Sequence, residues 1–120
     1  MPWLVDGMNV IGSRPDGWWR DRTGAMARLV GQLAGLGEEA WVVLDGRERD
    51  LGVDPGAVQV VWAPEPGPDS ADRIIAGLVE EDAQPARWTV VTSDGALADR
   101  VRAAGAAVTG ASAFRSRLDG

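Results

Sequence analysis

Three apolar segments of this 120-residue chain each lead into an aspartate, and this repeated feature constrains the fold most. The segments are WLVD, WVVLD and WTVVTSD, which end at Asp6, Asp45 and Asp94. Short runs that are apolar almost throughout are typical of strands buried on both faces of a parallel sheet. We therefore expect three strands of one sheet to carry a carboxylate at the same, carboxyl end.

The rest of the chain alternates between strand and helix signals. Two further strands are predicted at Val58 to Trp62 and Ala106 to Thr109. Apolar residues recur at three- and four-residue steps over 26–36, 71–79 and 97–104, which predicts helices, and a short last helix is predicted from Ser112 to Leu118. The order β-α-β-β-α-β-α-β-α predicts one α/β domain over 1–120, with three α/β/α layers around a mostly parallel five-stranded sheet.

The composition excludes several kinds of chemistry, because the chain contains no His, Cys, Tyr or Lys. Imidazole acid–base catalysis, thiolate nucleophiles, Schiff-base lysines, the Walker lysine and zinc sites built on nitrogen or sulfur are all excluded. Difficult chemistry would have to use carboxylates and a hard divalent cation. A net charge of −6 argues against a uniformly basic nucleic-acid-binding surface. With neither cysteine nor a signal-peptide pattern, a cytoplasmic protein is expected.

The strand-end aspartates are interpreted as metal ligands. In an open parallel sheet, ligands bind beyond the carboxyl ends of the strands, where neighbouring strands are about 4.8 Å apart. Asp72, in the first turn of a predicted helix, is expected to join Asp6, Asp45 and Asp94, while Asp99 either reaches the same cleft or faces water. Oxygen ligands alone indicate Mg²⁺ or Mn²⁺.

Each acid also has a simpler interpretation when it is taken alone. Asp94 fits a helix N-cap, and the helix dipole favours Asp72 in a first turn. Asp6 and Asp45 each precede a glycine and fit turn pairs. The placement of all four at one end of one sheet favours a shared metal site over four separate structural roles.

Other families with acidic strand ends do not fit. A receiver domain and a haloacid-dehalogenase-type phosphatase both need a lysine, and a dinucleotide-binding domain needs a GxGxxG loop. The segments LVDGMNVIG, WVVLDG, DSADRII and VVTSDGALADRV, in this order and spacing, resemble the YacP-type branch of the NYN domains, which are PIN-like ribonucleases. The resemblance runs from Trp3 to about Leu118. Met8 replaces an aromatic residue common in the family, and the chain is shorter than many relatives at the C-terminus.

The resemblance implies a PIN-like, Rossmann-like sheet and a metal-dependent endoribonuclease. Its catalytic residues would be Asp6, Asn9, Asp72 and Asp94, with Ser93 and Asp99 in support. Asp45 would complete the metal ligands. Mg²⁺ or Mn²⁺ would activate a water molecule for in-line attack on a phosphodiester, leaving a 5′-phosphate.

The segment SRPDGWWRDR supplies candidate RNA contacts, because aromatic residues interleaved with arginines are typical of surfaces that bind single strands. Its candidates, with one arginine from a later loop, are Arg14, Trp18, Trp19, Arg20, Arg22 and Arg47. The tryptophans could equally cover the core. The expected partner is single-stranded RNA, either mRNA or ribosome-associated RNA. No association with a membrane is expected. Alternatives left open are a non-catalytic RNA-binding or ribosome-associated module and a metal-dependent DNA nuclease or phosphatase; residue types alone settle neither the RNA target nor the oligomeric state.

Overall fold

The computed structural model describes residues 2–120, which form a five-stranded sheet with helices on both faces. The strands are β1 Trp3–Asp6, β2 Ala40–Asp45, β3 Gln59–Ala63, β4 Thr89–Val91 and β5 Ala107–Thr109. The helices are α1 Gly7–Ile11, α2 Arg22–Ala34, α3 Ser70–Glu81, α4 Gly95–Ala103 and α5 Ala111–Asp119. Single 3₁₀ turns form at Trp18–Arg20 and Pro85–Arg87.

All four strand pairings are parallel, and the strand order is β3-β2-β1-β4-β5. The predicted α/β class and five-stranded sheet are confirmed, and the sheet is parallel throughout. Because β1 lies between β2 and β4, the direction of the strand order reverses beside β1. A reversal of this kind opens a crevice at the carboxyl ends of the strands, and Asp6 is the last residue of β1.

The core consists of two clusters, one on each face of the sheet. Val5 faces one cluster, which includes side chains from α1, α2 and α5, and Leu4 faces the other, with side chains from α3 and α4. Both residues have 0% exposure. Burial on both faces explains why the strands read as continuous apolar runs rather than alternating ones.

Helix α1 is the one helix that the sequence pattern did not predict, because five residues are too few to show a helical period. It begins at Gly7, directly after β1, and not with a turn pair. A Cβ atom on Gly7 would lie 2.6 Å from Leu44 Cδ2 and 2.7 Å from the Val43 carbonyl oxygen. Glycine at this position therefore lets the chain turn from β1 into α1 while α1 packs directly against β2.

Across the chain from residue 2 onward, no helix is both long and apolar enough to cross a membrane.

A candidate acidic active site

An acidic cleft lies beyond the carboxyl ends of β1 and β2, beside the first turns of α3 and α4. Its volume is about 240 Å³. The residues that line it are Asp6, Met8, Asn9, Asp45, Pro68, Ala71, Asp72 and Asp94. The structure thus brings together the four aspartates predicted as metal ligands and the predicted Asn9 around one space.

Asp6 is the most buried carboxylate of the acidic cleft, with 6% exposure. Burial raises the pKa of Asp6 to about 6; the hydrogen bond from Thr92 opposes this shift, and the negative charges of Asp72 and Asp45 add to it. Two neighbouring carboxylates therefore repel Asp6 when it is ionised. A cation in the acidic cleft would relieve that repulsion.

Thr92 holds the Asp6 carboxylate in place and was not among the predicted site residues. Its hydroxyl donates to Asp6 Oδ2 at 3.0 Å and accepts from the Asp94 main-chain N–H at 3.1 Å. Thr92 is 2% exposed, so its hydroxyl makes both hydrogen bonds away from solvent. It links the end of β1 to the start of α4 across 86 residues of sequence.

Asp94 both caps a helix and lines the acidic cleft. Its Oδ1 accepts from the Leu97 main-chain N–H at 3.0 Å, which is an N-cap bond to α4. Burial, then the charges of Asp94 and Asp69, raise the pKa of Asp72 in the first turn of α3. The capping interpretation of Asp94 is therefore correct, and it is compatible with a place among the clustered carboxylates.

Asn9 is oriented by the main chain just after β4. Its Oδ1 accepts from the Ser93 N–H at 2.8 Å, and Ser93 Oγ accepts from the Ala111 N–H at 2.9 Å. Ser93 thus lies behind the acidic cleft, between Asn9 and the start of α5. The bond from Ser93 engages the Asn9 carbonyl oxygen and orients the side chain. The NH₂ group is then the part that can donate to a molecule in the acidic cleft.

The donor set of the acidic cleft fits a hard divalent cation, since every carboxylate there offers oxygen. As the side chains stand, however, no group of three or more acidic residues within 2–120 is close enough to hold one ion. Asp94 already uses one oxygen for the α4 cap.

Two predicted residues lie away from the acidic cleft. The Asp99 side chain is 86% exposed and lies 4.0 Å from Arg102, so its alternative of facing water is the one observed. Arg14 donates to Asp119 at 2.7 Å and to Ser116 at 2.8 Å, which ties it to the last turns of α5.

The predicted aromatic and basic segment is divided between core and surface. Trp18 packs against the buried cluster on the α2 face, with Arg22 5.8 Å from its ring centroid. Trp19 is 53% exposed, with Arg20 6.0 Å from its ring. Arg47 is exposed in the loop after β2.

Comparisons with known proteins agree with this geometry. The family model of the YacP-like NYN domain matches residues 3–120. Two crystal structures of Rae1 (YacP) from Bacillus subtilis, one of them of a mutant, are similar in fold. They have TM-scores of 0.76 and 0.75 and identities of 23% and 22%, and each comparison covers 99% of this chain and 74% of the other. No curated protein sequence matches the chain. The family match over nearly the whole chain places this protein in the YacP-like NYN domain family, whose domain is of the PIN-like nuclease type.

Proposed function

We propose that this protein is a metal-dependent endoribonuclease that hydrolyses phosphodiester bonds of single-stranded RNA at the acidic cleft. The observation that carries the proposal is the convergence of Asp6, Asp45, Asp72 and Asp94 on one cleft. Burial and the charges of neighbouring carboxylates raise the pKa values of Asp6 and Asp72, and none of the four aspartates pairs with an arginine within the described residues. Membership of the YacP-like NYN family supports RNA over other phosphodiesters.

Asp6, Asp45, Asp72 and Asp94 are the residues that would hold Mg²⁺ or Mn²⁺. When bound, the ion would activate a water molecule and offset the negative charge on the scissile phosphate. Thr92 would keep Asp6 Oδ2 directed into the acidic cleft, leaving the other oxygen to approach the ion. The Asn9 NH₂ group would donate to a non-bridging phosphate oxygen, which orients the phosphodiester.

The direct test is incubation of the purified protein with end-labelled single-stranded RNA and with DNA of the same sequence. We expect RNA cleavage with Mn²⁺ or Mg²⁺, products that carry a 5′-phosphate, and no cleavage in excess chelator. Cleavage that persists in chelator would disprove the metal mechanism. Equal cleavage of DNA would favour a general nuclease.

The alternative is a non-catalytic RNA-binding module, which the separation of the carboxylates beyond single-ion range favours. A melting experiment distinguishes the two without measuring turnover. An ion that binds only the folded state at about 100 times its dissociation constant should stabilise that state by about 2.7 kcal/mol. A melting temperature that rises with Mn²⁺ in the parent, and rises less in Asp94→Asn, supports the metal site. No rise, together with RNA binding but no cleavage, supports the binding module.

A further inference from the structure

A second pocket adjoins the acidic cleft and shares Asp45 with it. This arginine pocket has a volume of about 540 Å³. It lies between the loop after β2 and the loop after β3, against the start of α2. Its lining residues are Arg22, Asp45, Gly46, Arg49, Pro64, Glu65, Pro66 and Gly67. Asp45 is therefore the border between an acidic space and a space with two arginines.

Arg49 is fixed in the arginine pocket by three contacts that leave part of its guanidinium available. Its Nε donates to the Arg47 carbonyl oxygen at 3.3 Å, and its Nη1 donates to Thr23 Oγ1 at 3.1 Å. Its Cζ lies 5.5 Å from the centroid of the Trp62 ring. Nη2 makes no hydrogen bond to any residue from 2 to 120, so its two N–H donors remain for a ligand.

Gly46 provides the space that the Arg49 guanidinium occupies. A Cβ atom at Gly46 would lie 2.5 Å from Arg49 Nη2, and the Gly46 φ angle of +108° lies in the region that favours glycine. The glycine after Asp45 thus does more than form the predicted turn. It allows a guanidinium to lie directly beside the first residue after β2.

The charges of the arginine pocket are not neutralised within the described chain. No carboxylate lies within 4.0 Å of Arg22 or Arg49 in that part of the protein, although six other arginines are ion-paired. Glu65 lines the arginine pocket, but its carboxylate lies 3.6 Å from Arg73. Arg22 and Arg49 are exposed and unpaired within the described residues, and they converge on one concave space. In a protein of net charge −6, this arrangement indicates an anionic ligand.

We propose that the arginine pocket binds the phosphate and sugar of the RNA nucleotide next to the scissile bond, an inference that rests on the proposed function. Arg49 Nη2 and the Arg22 guanidinium would donate to the two non-bridging oxygens of that phosphate. Pro64 and Pro66 give the opposite wall an apolar surface for the ribose. The shared Asp45 would then lie between two successive phosphates, one in each space. The RNA would run from the acidic cleft past β2 toward β3, and not toward β5.

The test measures binding and cleavage separately for Arg22→Ala, Arg49→Ala and the double variant. A labelled single-stranded RNA is titrated in chelator across a salt series and followed by fluorescence anisotropy. We expect several-fold weaker binding for each variant, about tenfold or more for the double variant, and a salt slope reduced by about 0.7 per arginine. Cleavage at subsaturating RNA with Mn²⁺ should fall in step with the lost affinity.

The matched control is Arg28→Ala, since Arg28 is also exposed on α2 and outside both spaces. It should change neither the affinity nor the salt slope.

A parent that binds and cleaves RNA, with a double variant that binds equally well, would overturn the arginine pocket and leave the proposed function standing. A parent that binds RNA through these arginines but cleaves none with any metal would leave the pocket standing and disprove the nuclease. A parent that binds no RNA would overturn both.

Discussion

The acidic cleft and the arginine pocket are neighbours of opposite charge that do not neutralise each other. The acidic cleft holds four carboxylates, none of them in an ion pair within the described residues, and the arginine pocket holds two arginines with no carboxylate within 4.0 Å. Elsewhere on the surface arginines pair readily, as Arg100 does with Glu80 at 2.8 Å.

The two spaces also differ in how their residues are held. The acidic cleft uses strand ends and helix starts, whose positions are fixed by the sheet, and its deepest residue is nearly inaccessible to water. The arginine pocket uses two loops and the first residue of α2, and its arginines are exposed and lie against tryptophan rings. Rigid, buried groups suit chemistry, while exposed cations suit a long polyanion. If this division holds, changes in the acidic cleft should alter cleavage and changes in the arginine pocket should alter binding.

Replacing Asp6 with Asn should separate cleavage from binding. The change keeps the shape of the side chain but removes a ligand charge, so we expect cleavage to fall by about 10²-fold or more. RNA affinity in chelator should be equal to that of the parent or higher, because one repulsive charge is lost. Gel-based cleavage rates and anisotropy on the same preparation check both parts. A variant that loses binding and cleavage equally would contradict the division.

Asp6 should also make the metal-free protein less stable as the pH rises. Because burial raises the pKa of Asp6 to about 6 in the folded state, above the ordinary aspartate value of 3.8, the folded state holds the proton more tightly. The corresponding stability is fully present below about pH 4 and is lost as the pH rises through 6. The loss amounts to about 3 kcal/mol. Urea unfolding at several pH values should show a smaller fall in Asp6→Asn than in the parent, because only Asp72 then has a raised pKa, while Arg49→Ala should show the full fall.

Thr92→Val should damage the acidic cleft without changing its charge. Valine keeps the shape but removes the donor to Asp6 and the acceptor for the Asp94 N–H, which should cost about 1–3 kcal/mol in the free energy of unfolding. The pKa of Asp6, followed by carboxyl NMR, should rise further because the lowering hydrogen bond is gone. Thr89→Val, at the start of β4, should change neither quantity.

The smallest effect concerns Asp94, where the cap and the charge can be separated. Asparagine caps helices as well as aspartate does, so Asp94→Asn should keep the bond to the Leu97 N–H and relieve repulsion with Asp72. We expect a metal-free melting temperature equal to or above that of the parent. Asp94→Ala should instead lose about 1 kcal/mol. Equal destabilisation by both changes would mean that charge repulsion at this position is negligible.

The sequence predicted the sheet and the larger helices because their apolar patterns match their burial. The central strands are apolar almost throughout and buried on both faces, and the helices have apolar residues at three- and four-residue steps on the face that packs against the sheet. Asp6, Asp45, Asp72 and Asp94 were predictable from their positions relative to those elements. Thr92 was not, because no local pattern shows that a hydroxyl bonds to a residue 86 positions away. 

The arginine pocket was only partly predictable for a similar reason. Arg22 was included from the tryptophan-rich segment, but the position of Arg49 depends on Trp62, which β3 brings beside it through pairing with β2. Asp99 was ambiguous because its side depends on the rotation of α4 about its axis, which buries Leu97 and Val101 and leaves Asp99 in water.

The central place of β1 in the sheet has a consequence for the order of folding. A chain is synthesised from its N-terminus, and β1 can pair with β2 soon after residue 45 has emerged. Its other neighbour, β4, begins at Thr89, and the hydroxyl that holds Asp6 comes three residues later. A nascent chain therefore carries no complete acidic cleft until Asp94 has been made. The pairing of β1 with β4 closes a longer loop than the pairing of β1 with β2, so we expect it to form later and the acidic cleft to be completed only then.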